Sequence, residues 1–183
     1  MSARSRDPLR LDVEPFAREA GELEGHWPLG QLQRLAESAH AEARPAESDS
    51  VHWQARGELR PVRGAPPRPW LHVSAQTSLN LQCQRCLQPM AVPLDVSRSF
   101  CFVHGETTAA ELDAESEDDV LALTRSLDLR ELVEDELLLS LPLVPRHDSC
   151  APPAPMADSE PGSAEERPNP FAALAALKPA GRH

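Results

Sequence analysis

Three segments in the middle of the chain alternate apolar and polar residues with a period of two. Val51, Trp53, Ala55, Gly57 and Leu59 share one side of residues 51–60, with His52, Gln54, Arg56, Glu58 and Arg60 on the other. Leu71, Val73, Ala75, Thr77, Leu79 and Leu81 do the same in residues 71–82, and Met90, Val92, Leu94, Val96, Phe100 and Phe102 in residues 90–102. Successive strand side chains point to opposite faces, so this period predicts an antiparallel sheet with one face buried and one face wet. The proline-rich residues 61–69 read as the connection between the first two strands, and residues 83–89 as the turn between the second and third.

Helical spacing flanks this block. Leu29, Leu32, Leu35, Ala36 and Ala39 predict a helix over residues 31–40, and residues 41–50 read as a polar loop. Near the start, Leu9, Leu11 and Val13 alternate with Arg10 and Asp12, which predicts a short first strand. After the sheet, Leu129, Leu132, Val133, Leu137 and Leu141 form the apolar face of a helix over residues 128–141. Asp128 and Glu131 make a capping-box pair at its start, and Pro142 and Pro145 lie beyond its end. Residues 106–119 are acidic and read as a solvated loop.

These elements predict an α+β fold for residues 1–150, an antiparallel sheet packed by a few helices. A flexible Pro/Ala/Glu-rich linker is expected over residues 151–167, followed by a short C-terminal helix and tail over 168–183. Asn169 and Pro170 start that helix, and Phe171, Leu174 and Leu177 form its stripe.

Charge narrows the choice of partners. Twelve arginines balance twelve acids in residues 1–105, whereas six cations face seventeen acids in residues 106–183, which therefore hold the whole net charge of -11. That is not the footprint of a strong nucleic-acid binder, whose affinity comes largely from neutralising phosphates. The surface facing RNA or a partner would be the polar side of the sheet with Arg56, Arg60 and Arg85, together with Phe171, Leu174 and Leu177 of the terminal helix. Single-strand readers stack bases on exposed aromatics, and here Trp53, Phe100 and Phe102 alternate to the buried side, so RNA contact is expected to be electrostatic and weak. No apolar run is long enough to span a bilayer, and no hydrophobic stretch follows the N-terminal arginines, so a cytoplasmic protein with no membrane partner is expected.

The four cysteines are the strongest chemical signal. Cys83 and Cys86 form a Cys-x2-Cys pair at a turn between two strands, a spacing that lets two thiolates chelate one ion. His147 and Cys150, just after the main helix, complete four ligands of the types zinc prefers. Because the protein fills every position, such a zinc would be structural, with no open place for a reacting water. Cys101 lies too far along its strand to join them and reads as a packed cysteine. Glu134, Asp135 and Glu136 point about 100° apart in turn and read as a solvated helix face, not as a converging acid–base group. No catalytic constellation is expected.

Several stretches, in order, resemble the YceD family of large ribosomal RNA subunit accumulation proteins. They are residues 9–15 (LRLDVEP), 32–39 (LQRLAESA), 81–89 (LQCQRCLQP), 132–145 (LVEDELLLSLPLVP) with His147-Asp148 after them, and 168–178 (PNPFAALAALK). The resemblance implies a bacterial ribosome-biogenesis factor, without enzymatic activity, involved in the synthesis, processing or stability of 23S ribosomal RNA. Its partner would be a large-subunit rRNA precursor or a ribosomal assembly protein, not a small-molecule substrate. The alternatives are an rRNA-processing or RNA-modifying enzyme and a zinc-dependent thiol sensor. The resemblance does not itself define the metal ligands or the RNA-facing residues, which rest on the spacing arguments above.

Overall fold

The long alternating segments form the centre of a five-stranded sheet. The computed structural model describes residues 6–153. The order of elements is α1 (Val13–Arg18), β1 (Glu22–Pro28), a 3-10 turn (Leu29–Gln31), α2 (Gln33–Glu37), β2 (Ser50–Val62), β3 (Ala65–Gln82), β4 (Pro89–Val103), α3 (Glu106–Glu115), β5 (Asp119–Ala122) and α4 (Leu129–Leu139). The strands lie side by side in sequence order. β1 to β4 pair antiparallel, and β5 pairs parallel to β4, so α3 is the crossover of a β-α-β unit within a mixed sheet. The fold is an α+β domain, as the sequence predicts.

Alternation gives the expected burial. Val51, Trp53, Ala55, Leu71, Val73, Ala75, Leu79, Leu94, Val96, Phe100 and Phe102 all sit in one core. That core is closed by Phe16 of α1, Leu35 of α2, and Leu129, Val133 and Leu137 of α4. Asp128 caps α4 as expected, its Oδ1 accepting from the Arg130 and Glu131 amides at 2.9 and 3.1 Å. Helix α1 can lie against β2 because position 57 is glycine: a Cβ there would come within 2.8 Å of the Ala17 backbone.

The structure corrects the prediction in several places. Residues 61–69 are not a loose connection: β2 and β3 run into a hairpin that turns at Arg63 and Gly64, and Gly64 supplies the positive φ of 79°. Prolines 66, 67 and 69 are tolerated in β3 because pairing with β4 stops at Trp70↔Cys101, leaving that side of the strand without a partner to satisfy. Leu9, Leu11 and Val13 do not form a strand. Leu11 makes a single bridge to Leu127, and α1 then starts at Val13, burying Val13, Phe16 and Ala17 at helical spacing. The helix predicted over 31–40 is a 3-10 turn followed by the shorter α2, since apolar residues three apart at 29, 32 and 35 suit either winding.

Strand β1 escapes the pattern because its core-side row is Leu23, Gly25, Trp27. The middle position is a glycine, and the Trp53 indole lies where a side chain would be, 3.0 Å from an added Cβ. Residues 106–119 are not a loop: α3 covers part of the sheet's other face, where Trp70, Cys101, Val103, Ala109 and Val120 form a second, smaller core. Glu134 and Glu136 are not solvated but buried, each only 8% exposed. Arg34 donates to Glu134 at 3.0 Å and also pairs with Asp135, the Leu35 amide donates to Glu134 at 3.1 Å, and Arg98 donates to Glu136 at 3.2 Å. Burial holds the Glu136 carboxyl above its ordinary range, and Arg98 offsets part of that. No helix among the described residues is long and apolar enough to cross a membrane.

Candidate metal centre

The turn that follows β3 is built to aim two sulfurs inward. The Leu87 amide donates to the Cys83 carbonyl at 2.9 Å, and the Cys83 amide donates to the Gln88 carbonyl at 2.9 Å. These bonds close a loop in which Leu87 takes a positive φ of 62°. The segment after α4 is fastened on top. The Gln84 amide donates to the Pro145 carbonyl at 2.8 Å, and the Arg85 guanidinium donates to the Cys150 carbonyl at 3.2 Å.

These contacts bring Cys83, Cys86, His147 and Cys150 together with all ligand atoms within 4.8 Å of one another. Cys83 Sγ lies 3.8 Å from Cys150 Sγ, and Cys86 Sγ lies 3.4 Å from His147 Nδ1. Sulfurs bound to tetrahedral zinc at about 2.3 Å stand roughly 3.8 Å apart, which the Cys83–Cys150 pair matches. Cys83 is fully buried, the other three ligands are partly buried, and none of the four cysteines is in a disulfide.

The electrostatics favour a cation. Burial pushes the Cys83 thiol up, but the amides of Cys86, His147 and Arg85 together outweigh it and bring its pKa down to about 5. Burial, with Cys83 and Cys86 close by, raises Cys150 to about 11. A divalent cation relieves that crowding by taking the place of protons as the thiols become thiolates. The fourth cysteine, Cys101, stands apart in the second core, with its thiol raised by burial.

One supporting residue carried no sequence signal. His40 accepts the Glu42 amide on Nδ1 at 3.1 Å, so its proton sits on Nε2, which donates to the Leu87 carbonyl at 3.1 Å. The ring thereby braces the turn from the α2 side, a bond spanning 47 residues. No short-range spacing announces it.

The arginines expected to face RNA or a partner have different fates. Arg85 is spent on the Cys150 carbonyl. Arg60 donates to Glu58 at 3.1 Å and lies 4.1 Å over the Trp70 ring. Arg56 is exposed and lines a shallow groove of about 560 Å³ with Glu22, Glu24 and Gln54. Phe171, Leu174 and Leu177, with the rest of the chain from residue 154, lie outside the described residues.

A further string of polar groups crosses the open face. His72 Nδ1 is 2.7 Å from Ser99 Oγ, and its Nε2 is 2.8 Å from Glu58. The spacing is that of a serine–histidine–acid relay, yet β3 and β4 pair with neighbours at these positions, so their amides are engaged in the sheet. Glu58, held below the ordinary carboxylate range chiefly by His72 and also by Arg60, is the hub of a surface ion-pair network.

Fold and site together define a class: an α+β domain in which a Cys3His cluster pins the segment after the last described helix onto the turn between two central strands. The chain belongs to the YceD family. The model described as "Large ribosomal RNA subunit accumulation protein YceD" matches residues 71–178, which include all four cluster residues and the terminal motif. A curated relative of that name from Haemophilus influenzae (strain ATCC 51907 / DSM 11121 / KW20 / Rd) is 31% identical over 175 residues, covering 93% of this chain and 95% of its own length. No solved structure matches.

Proposed function

We propose that the chain is a non-catalytic, cytoplasmic ribosome-biogenesis factor. It supports the synthesis, processing or stability of 23S ribosomal RNA by binding a large-subunit rRNA precursor or a ribosomal assembly protein. A structural zinc held by Cys83, Cys86, His147 and Cys150 keeps the binding body in shape. The observation that carries the metal reading is the closure of four zinc-type ligands, from two segments about 60 residues apart, within 4.8 Å. The link to ribosomal RNA rests on the family.

The metal's physical task is to fix the exit from α4. Without it, residues 140–150 are held to the turn by few hydrogen bonds, chiefly those of Gln84 and Arg85. The fastened stretch carries Leu143, wholly exposed, and Val144, about half exposed, and the turn carries the half-exposed Leu87. These side chains, Arg56 on the open face and the Phe171, Leu174, Leu177 stripe are the contacts offered to a partner. Trp53, Phe100 and Phe102 are buried and leave no tryptophan or phenylalanine platform in these strands, so direct RNA contact is chiefly electrostatic.

The test is the ratio of 23S to 16S ribosomal RNA in cells depleted of the chain, with purified protein incubated alone with precursor rRNA. The reading predicts that the ratio falls on depletion and that the isolated protein leaves the precursor intact. An unchanged ratio, or cleavage or modification of the precursor, contradicts it.

The 3.8 Å between Cys83 and Cys150 sulfurs favours one second reading, a zinc-dependent thiol sensor. A peroxide would accept two electrons from these thiolates, be reduced to water and leave a disulfide, expelling the metal. That reading requires oxidant to release zinc and to change rRNA levels together.

A further inference from the structure

Strand β1 is hydrogen-bonded on one side only among the described residues. Two bonds at its ends set the phase of its pairing with β2: the Gly57 amide donates to the Gly21 carbonyl at 2.8 Å, and the Leu29 amide donates to the Asp49 carbonyl at 2.8 Å. Both bonded pairs involve odd-numbered residues on the β1 side, and an antiparallel ladder alternates strictly. The backbone N–H and C=O groups of Glu22, Glu24 and His26 therefore point away from the sheet. Pro28, which has no N–H, ends the row.

Two acids lie along this row on the open face, with Arg56 of β2 across from Glu22. Glu22 and Glu24 are exposed, lie on the open face two residues apart, and form no ion pair among the described residues, whereas nearby Glu14 and Glu19 pair with Arg18 and Arg6. Between them, Leu23 turns to the opposite face and packs at the margin of the core. Negative charges on an edge guard against pairing with a second copy, which would set Glu22 and Glu24 against their equals. The same charges attract a strand of opposite sign.

We infer that the free edge of β1 binds an extended peptide in which basic and apolar residues alternate, adding a sixth strand to the sheet. Main-chain bonds to Glu22, Glu24 and His26 supply affinity. Basic side chains two apart sit beside Glu22 and Glu24, and the apolar residue between them extends the core past Leu23. β1 is two strands removed from the end of β3 that carries Cys83, so a chain that holds no zinc still tests the edge, and a zinc-loaded chain that ignores the peptide still holds its metal.

The experiment is fluorescence anisotropy of the full chain with a labelled, end-blocked peptide of alternating arginine and valine. Two control peptides have the same charge: one is N-methylated on the amides that would meet β1, and the other has its arginines grouped together. The expected result is saturable binding of the alternating peptide, about tenfold weaker binding of each control, and a similar loss in the Glu22→Lys/Glu24→Lys variant. Amide exchange at Glu22, Glu24 and His26 should slow on binding. Equal binding of either control shows non-directional attraction to an acidic protein and overturns the inference. So does absence of binding, or binding that leaves those three amides unprotected.

Discussion

Cys83 is the residue on which the metal reading turns, because it is the only ligand that is fully buried and the one whose thiol is driven toward thiolate by three backbone amides. Chain purified under gentle conditions should carry about one equivalent of zinc, and Cys83→Ser should lose most of it. Less than about a tenth of an equivalent in the wild type ends the idea. Glu134 makes a different residue-scale point. Its carboxylate takes bonds from Arg34 and from the buried Leu35 amide; Arg34 keeps Asp135 as a partner, so Glu134→Ala should strand the Leu35 amide and cost roughly 1–3 kcal/mol, read from chemical denaturation. The cysteine spacing was legible because both halves of the ligand set are local pairs. The burial of Glu134 was not, since its partner lies 100 residues away and a run of three acids on a helix looks solvated when read locally. Glu58 contributes through pH. Its folded pKa is lowered, so its stabilising share is present above the ordinary carboxylate value of 4.5 and drains away as pH falls through the lowered one. Thermal melts should show a shallower acid-side loss for Glu58→Gln than for the wild type, with the two curves converging at the acid end.

At the scale of elements, legibility followed the strength of alternation. β2, β3 and β4 announce themselves because each buries a row of large side chains on one face. β1 and α3 do not, for opposite reasons. In β1 a glycine stands in the core row with the Trp53 ring in its place, and in α3 only Ala109 is buried, so the helix has almost no apolar stripe to detect. β5 spans four residues and takes its identity from pairing with β4, a long-range fact. The proline-rich hairpin misleads for a clear reason: prolines argue against a strand only where both neighbours demand amides, and here the pairing of β3 with β4 has already stopped. Gly57 governs the seating of α1. Gly57→Ala would drive a methyl into the Ala17 backbone, force the helix outward and destabilise the fold by about 1–3 kcal/mol, checked by urea denaturation.

Among the described residues, one face of the sheet is given to the core, part of the other to α3, and the remainder to a mixed-charge surface without exposed strand tryptophan or phenylalanine. The cluster stands where the chain leaves this body, joining the turn after β3 to the segment after α4. The central claim is that the metal-clamped body is the unit that supports large-subunit RNA. It is tested most directly by the ratio of 23S to 16S ribosomal RNA in cells whose only copy of the chain is Cys83→Ser/Cys150→Ser, with Cys101→Ala as control and all proteins brought to equal abundance. The account predicts a low ratio with the double variant and a normal one with the control. A normal ratio with the double variant, in protein shown to be free of zinc, would contradict it.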